Sequence, residues 1–148
     1  MFRWKHFHFI IPNTVLLSKW KIVGNSLCNF CKSDEDYSHY FITCTFLKEF
    51  WTQFQNLKKG LGIGNKITLK HIVLGYKIDG KNYLALIFLI TVVGFSIYKS
   101  YSISEQKTKY IDVYKIFANA YIKRINENNK LQKCTFSIKV KHYIINAK

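Results

Sequence analysis

Between Leu27 and Cys44 the chain reads LCNFCKSDEDYSHYFITC, which sets Cys28, Cys31, His39 and Cys44 in the pattern C-x2-C-x7-H-x4-C. Thiolate and imidazole are ligands that suit zinc, four of them at the corners of a tetrahedron, with Zn–S about 2.3 Å and Zn–N about 2.0–2.1 Å. Two residues between cysteines suffice to reverse the chain and turn both sulfurs toward one point. The polar loop from Lys32 to Ser38 then returns the chain over the metal, with His39 on a short helical turn and Cys44 just past its end. Four protein ligands leave no coordination position for water, so the expected role is one structural Zn2+ and not hydrolysis. Asp34, Glu35 and Asp36 lie between the ligands. Hard carboxylates lose to thiolates at zinc, so these three read as loop solvation. The blander alternative is three buried free thiols and one satisfied histidine. A disulfide framework is the weaker expectation, because Arg3, Lys5, His6 and His8 break the apolar character a secretory leader would need. Cys134, far along the chain, reads as a free thiol.

Positioning these ligands requires elements on both sides. Pro12 punctuates the start, Asn13 is a candidate N-cap, and Val15, Leu16, Leu17 and Trp20 follow on roughly one helical face. After the last cysteine, Phe46, Leu47, Phe50, Trp51, Phe54 and Leu57 recur at helical spacing, which predicts an amphipathic helix over 46–59. Gly60, Gly62 and Gly64 end it without the Gly-Lys-Ser/Thr of a phosphate loop. Residues 66–78 fit a short strand or a helix. Tyr83–Tyr98 is uncharged, and Thr108–Lys130 returns to helical spacing with Ile111, Tyr114, Phe117, Ala118, Tyr121, Ile122 and Ile125 on one stripe. From Lys133 apolar and polar residues alternate (Cys134, Phe136, Ile138, Val140), a strand-like pattern. The expected fold is mostly α: a small Cys3His zinc knuckle flanked by amphipathic helices, then a helical tail, first apolar and then basic. The expected divisions are a metal domain over 1–59, a linker over 60–81, a helical tail over 82–130 and an unassigned end over 131–148.

The stretch LLSKWKIVGNSLCNFCKSDEDYSHYFITCTFLKEFW (Leu16–Trp51) resembles the zinc-binding region that lies C-terminal to the reverse transcriptase of LINE-type (non-LTR) retrotransposons. The matching elements are Leu17 and Trp20, Cys28 and Cys31, the acidic run Asp34–Asp36, His39 with Tyr40 and Phe41, Cys44, and Phe50-Trp51. Residues 72–125 resemble that family's C-terminal tail more weakly. The chain departs from the pattern at Asp36-Tyr37-Ser38, where the family carries Glu-Thr/Ser before the histidine, and at Thr45, where proline is common. It also runs through Val93-Gly94-Phe95 without the usual lysine. None of these departures removes a ligand. The resemblance implies a piece of a mobile-element polyprotein that is not itself an enzyme, since no Tyr-x-Asp-Asp polymerase motif occurs. It also implies a grip on template RNA or target DNA, the rest of the polyprotein as a partner, and an intracellular, non-secreted setting.

Charge bears on that grip. The 148 residues hold 23 Lys+Arg against 8 Asp+Glu, a formal net charge of +15. All the basic residues but Arg3 and Arg124 are lysines, and the chain is rich in other residues with A/T-rich codons, so base composition accounts for a share of the excess. Most of the surplus falls after residue 60, and there the polyanion expectation belongs. Candidate nucleic-acid contacts are Lys58, Lys59, Lys123 and Arg124, with Lys107, Lys109 and Lys115 nearby, although the same pattern fits a solvated helix face. Tyr37 and Tyr40 are candidates for stacking on bases. Phe30 and Phe41, beside ligands, are expected to pack inward. Two other classes stay open. The segment 82–98 is near the lower length limit for a membrane span, about 17 residues. The helix over 46–59 has Phe50, Trp51 and Phe54 to offer a protein partner.

Overall fold

Asn13 caps the first helix, its side chain accepting the Leu16 N–H at 2.8 Å, as expected for asparagine ahead of an apolar stretch. That helix, α1 (Thr14–Lys19), buries none of its side chains fully. The computed structural model describes residues 13–64, 66–74, 83–104 and 112–146. Pro12, Lys107, Lys109 and Ile111 lie outside them. The later helices are α2 (Lys48–Gly60), α3 (Leu69–Leu74), α4 (Tyr83–Ser104), α5 (Val113–Asn126), α6 (Asn129–Gln132) and α7 (Thr135–Asn146). The fold is mostly helical. Among the described residues there is no strand, and the isolated pairing of Leu27 with Asp34 is the extended contact that forms.

The amphipathic helix after the last cysteine starts later than its spacing suggests. Thr45–Leu47 forms a tight 3-10 turn, and α2 follows from Lys48. Glu49 in its first turn and Lys58 and Lys59 in its last complement the helix dipole. Phe50 and Phe54 are buried within the chain, with Phe117 of α5 in edge contact with both, at centroid distances of 6.1 and 5.6 Å. The apolar face that a partner would need is therefore covered by this protein's own α5, with only Trp51 of the three partly exposed. Gly60 ends α2 where a side chain would run into the ring of Tyr143 on α7.

α4 is the central element. Ala85, Leu89, Val92, Val93, Ile97 and Tyr101 are buried along it. Ser96 and Ser100 are fully buried too, and each satisfies its hydroxyl by donating to the carbonyl one turn back, at 2.6 Å. The uncharged run thus serves as a core helix against α3 and α5. No helix among the described residues is long and apolar enough to cross a membrane. α5 presents Val113, Phe117, Tyr121 and Ile125 to the core at four-residue spacing. Asp112 caps it by accepting the Lys115 N–H at 3.0 Å.

The tail from Lys133 is a helix, not a strand. α7 buries Phe136, Val140 and Ile144 at i, i+4 and i+8, while Ile138, inward in an alternating pattern, is 51% exposed. One continuous apolar cluster joins Cys28, Phe41 and Cys44 of the ligand loop to Phe54, Leu89, Phe117 and Val140. The core therefore draws on residues from before position 59 to beyond position 130.

Candidate metal centre

The ligand loop is built by short-range hydrogen bonds. Cys28 N–H donates to Ser33 O at 2.8 Å, Lys32 N–H to Cys28 O at 3.0 Å and Glu35 N–H to Ser26 O at 2.9 Å. These bonds fold Ser26–Glu35 back on itself and turn Cys28 and Cys31 toward the same side. The reversal puts Lys32 at φ 61°, a left-handed conformation more often taken by glycine.

Of the acidic residues between the ligands, Asp34 and Asp36 are exposed, as loop solvation requires, while Glu35 is buried, and all three also hold local hydrogen bonds. Glu35 is buried and accepts the Thr14 N–H at 2.9 Å, so it anchors the start of α1 beside the loop. Asp34 accepts the Ser26 hydroxyl. Asp36 accepts the His39 N–H at 2.6 Å, holding the first residue of the next turn. That turn, His39–Thr43, is wound wide: Cys44 N–H donates to His39 O at 3.0 Å, a five-residue step. At about 100° per residue an α-helix would set positions five apart on different sides. The wider winding brings His39 and Cys44 onto one side, the kind of local π-turn found at functional sites. Trp51 of α2 fastens the turn by donating its indole N–H to Phe41 O at 3.2 Å.

The result is a cluster in which the four ligand atoms of Cys28, Cys31, His39 and Cys44 all lie within 4.8 Å of one another. Cys28 Sγ and Cys44 Sγ are 3.7 Å apart, and Cys31 Sγ is 3.2 Å from His39 Nε2. A tetrahedron with about 2.3 Å metal–sulfur bonds has a sulfur–sulfur edge of about 3.8 Å, so the cluster could hold a metal ion of that size. The sulfur separation is far beyond the ~2.05 Å of a disulfide, and the cysteines are free thiols. Cys28, His39 and Cys44 are buried, and Cys31 is the ligand nearest solvent. Cys134 is also free and is not part of the cluster.

Electrostatics separate the thiols. Burial pushes Cys28 up to about 12 and also raises Cys44. The backbone N–H of Ser33, aided by the Ser33 side chain, Cys28 and His39, draws Cys31 down to about 6. Near neutral pH the metal-free site therefore holds one thiolate and two thiols. Metal entry must expel two protons, so the logarithm of zinc affinity is expected to rise by about two per pH unit between roughly pH 7 and 8. Below about pH 6, Cys31 must also lose its proton and the dependence steepens. Competition titrations against a chelator at several pH values measure this slope.

A part of the site not visible in the sequence comes from α4. Tyr101 is buried against the ligand loop, stacked on Tyr40 with centroids 4.1 Å apart. Phe30 and Phe46 meet it edge-on at 5.5 and 5.4 Å. Its hydroxyl favours the Cys44 thiolate, and burial holds the phenol far above its ordinary range, so Tyr101 keeps its proton beside that sulfur's loop. Phe41 packs fully inward as expected. Phe30 packs on Phe46 at 4.2 Å while keeping one side exposed.

The other residues singled out in the sequence are scattered. Tyr40 is 4% exposed and Lys58 3% exposed, so neither offers a free surface. Tyr40 spends its face on Tyr101. Lys58 lies alongside α2, 3.5 Å from Gln55, with its ammonium disfavoured by burial. Tyr37 is half-buried against Phe41. Lys59, Lys123 and Arg124 are exposed, and the last two lie on α5.

The site and fold thus define a mostly helical chain with a Cys3His cluster that could hold a metal ion. Residues 1–51 match a family model described as zinc-binding in reverse transcriptase, a match that includes all four ligands and no polymerase domain. No curated protein and no solved structure matches the chain.

Proposed function

We propose that this chain is a structural-zinc, nucleic-acid-binding module, a piece of a non-LTR retrotransposon reverse-transcriptase polyprotein that lacks the polymerase and is not an enzyme by itself. The observation that carries this reading is the Cys3His cluster, with its 3.7 Å sulfur–sulfur edge, inside the segment that matches the zinc-binding family. Zinc, when bound, would cross-link the loop Ser26–Glu35 to the turn His39–Thr43. All four positions would be filled by protein, so the metal would have no site at which to activate water. The net charge of +15 suits RNA or DNA as the partner, and the remainder of the polyprotein is the second. An intracellular, reducing setting would keep the thiols available for metal.

The test is metal content by mass spectrometry on the full chain and on Cys28→Ser, followed by nucleic-acid binding against salt. One zinc per chain, absent from Cys28→Ser, with RNA or DNA affinity that falls as salt rises, is the expected result. A metal-free chain, or a zinc-loaded chain indifferent to both nucleic acids, would end the reading.

A further inference from the structure

α4 and α5 enclose an open groove of about 500 Å³ whose lining includes Phe95, Lys99, Ile116, Asn119, Lys123 and Arg124. Phe95 and Lys99 are one turn apart on α4, and Asn119 and Lys123 one turn apart on α5, so each helix turns the same face to the groove along its length. Lys99, Lys123 and Arg124 are exposed. The guanidinium of Arg124 sits over the Phe95 ring, 5.3 Å from its centroid, which holds the planar cation in place at the rim. Glu127 is the acidic residue of the lining, against three cations. Helical periodicity could not reveal this grouping, because Lys99 falls in a different segment from Lys123 and Arg124.

We infer that the α4–α5 groove, and not the aromatic surface of the metal loop, is where this protein holds single-stranded nucleic acid. The inference rests on the nucleic-acid reading above and assigns it a place. Lys99, Lys123 and Arg124 take successive phosphates, as positioning contacts without base specificity. Asn119 supplies an amide to the sugar or a base edge. Ile103 and Ile116 give an apolar wall against which an unstacked base lies, beside the basic track, the combination used by sequence-tolerant single-strand binders. The metal loop is a poorer candidate because Tyr40 is stacked on Tyr101 and buried, and Tyr37 is half-buried against Phe41.

The experiment uses the full zinc-loaded chain and a labelled 20-nucleotide single-stranded RNA, followed by anisotropy from low to moderate salt. The double variant Lys99→Gln/Lys123→Gln is compared with Lys130→Gln/Lys139→Gln, which removes the same charge from exposed positions elsewhere. Circular dichroism and zinc content check that both remain folded. Two lost phosphate contacts should lower the salt slope by about 1.4 and the affinity roughly 10–30-fold at ~100 mM salt, while the control changes it less than about 3-fold. Equal losses in both variants would show diffuse attraction and overturn the groove while leaving nucleic-acid binding in place. A wild-type chain that binds no RNA or single-stranded DNA would overturn both readings. So would groove-dependent binding to phosphatidylserine vesicles without binding to nucleic acid.

Discussion

Cys44→Ser, or treatment of the wild-type chain with a zinc chelator, is expected to open residues 14–38 to protease while much of the helical signal survives. Little besides the metal would hold that segment. α1 buries no side chain fully, Leu27 and Asp34 form a single isolated bridge, and Lys32 is held in a left-handed conformation. Structural zinc sites contribute about 10–16 kcal/mol of apparent binding free energy in small peptides near pH 7. Whole domains are stable by only about 5–15 kcal/mol. Losing a ligand should therefore exceed what this segment can spare. The helices behave differently, because Phe54, Leu89, Phe117 and Val140, with Phe41 and Leu47, form an apolar core that does not depend on the metal for its contacts. Limited proteolysis with mass mapping, run beside far-ultraviolet circular dichroism, separates the two parts. An unchanged cleavage map after chelation would mean that the cysteines are ordinary buried thiols.

Tyr101→Ala should destabilise the protein by about 3–5 kcal/mol, the range for removing a large buried aromatic. It should also weaken zinc binding at a site whose ligands all lie at least 57 residues earlier in the chain. Tyr101 fills a pocket made by Phe30, Tyr40 and Phe46, each placed by a neighbouring ligand. Metal loading and docking of α4 are thus coupled through one side chain. Tyr101→Phe separates the ring from the hydroxyl. It should keep most of the stability and lose the hydroxyl that favours the Cys44 thiolate, with zinc affinity falling about 10-fold, as on loss of outer-sphere groups around ligands. Thermal melts and chelator competition on the three chains measure the two quantities. Zinc affinity unaltered by Tyr101→Ala would show that the metal loop does not depend on α4.

How much of this was legible in the sequence differs element by element. α2 and α5 were readable because their buried residues repeat at helical spacing over several turns. α7 was misread for a definite reason. Phe136 and Val140 satisfy both an alternating pattern and a four-residue helical one, and only the exposure of Ile138 and the burial of Ile144 decide between them. Lys58 looked like a solvated cation at the end of an amphipathic helix, yet the packing around α2 covers it. The uncharged run at 83–98 could not announce whether protein or lipid would surround it. α3 and α5 settle that by lying against α4.

The Cys3His cluster was determined by the sequence itself, since four chemically distinctive residues within one short loop need only local turns to converge. The hydrogen bonds that make those turns, from Ser33, Ser26 and Asp36, lie within the same stretch. Tertiary structure alone decided what surrounds them: Tyr101 behind Cys44, Trp51 across the wide turn, and Lys99 beside Lys123 and Arg124. Periodicity records which side of a helix avoids water, but not which other element covers that side. That choice rests on the shapes of all the apolar faces together, and it becomes definite only when they pack.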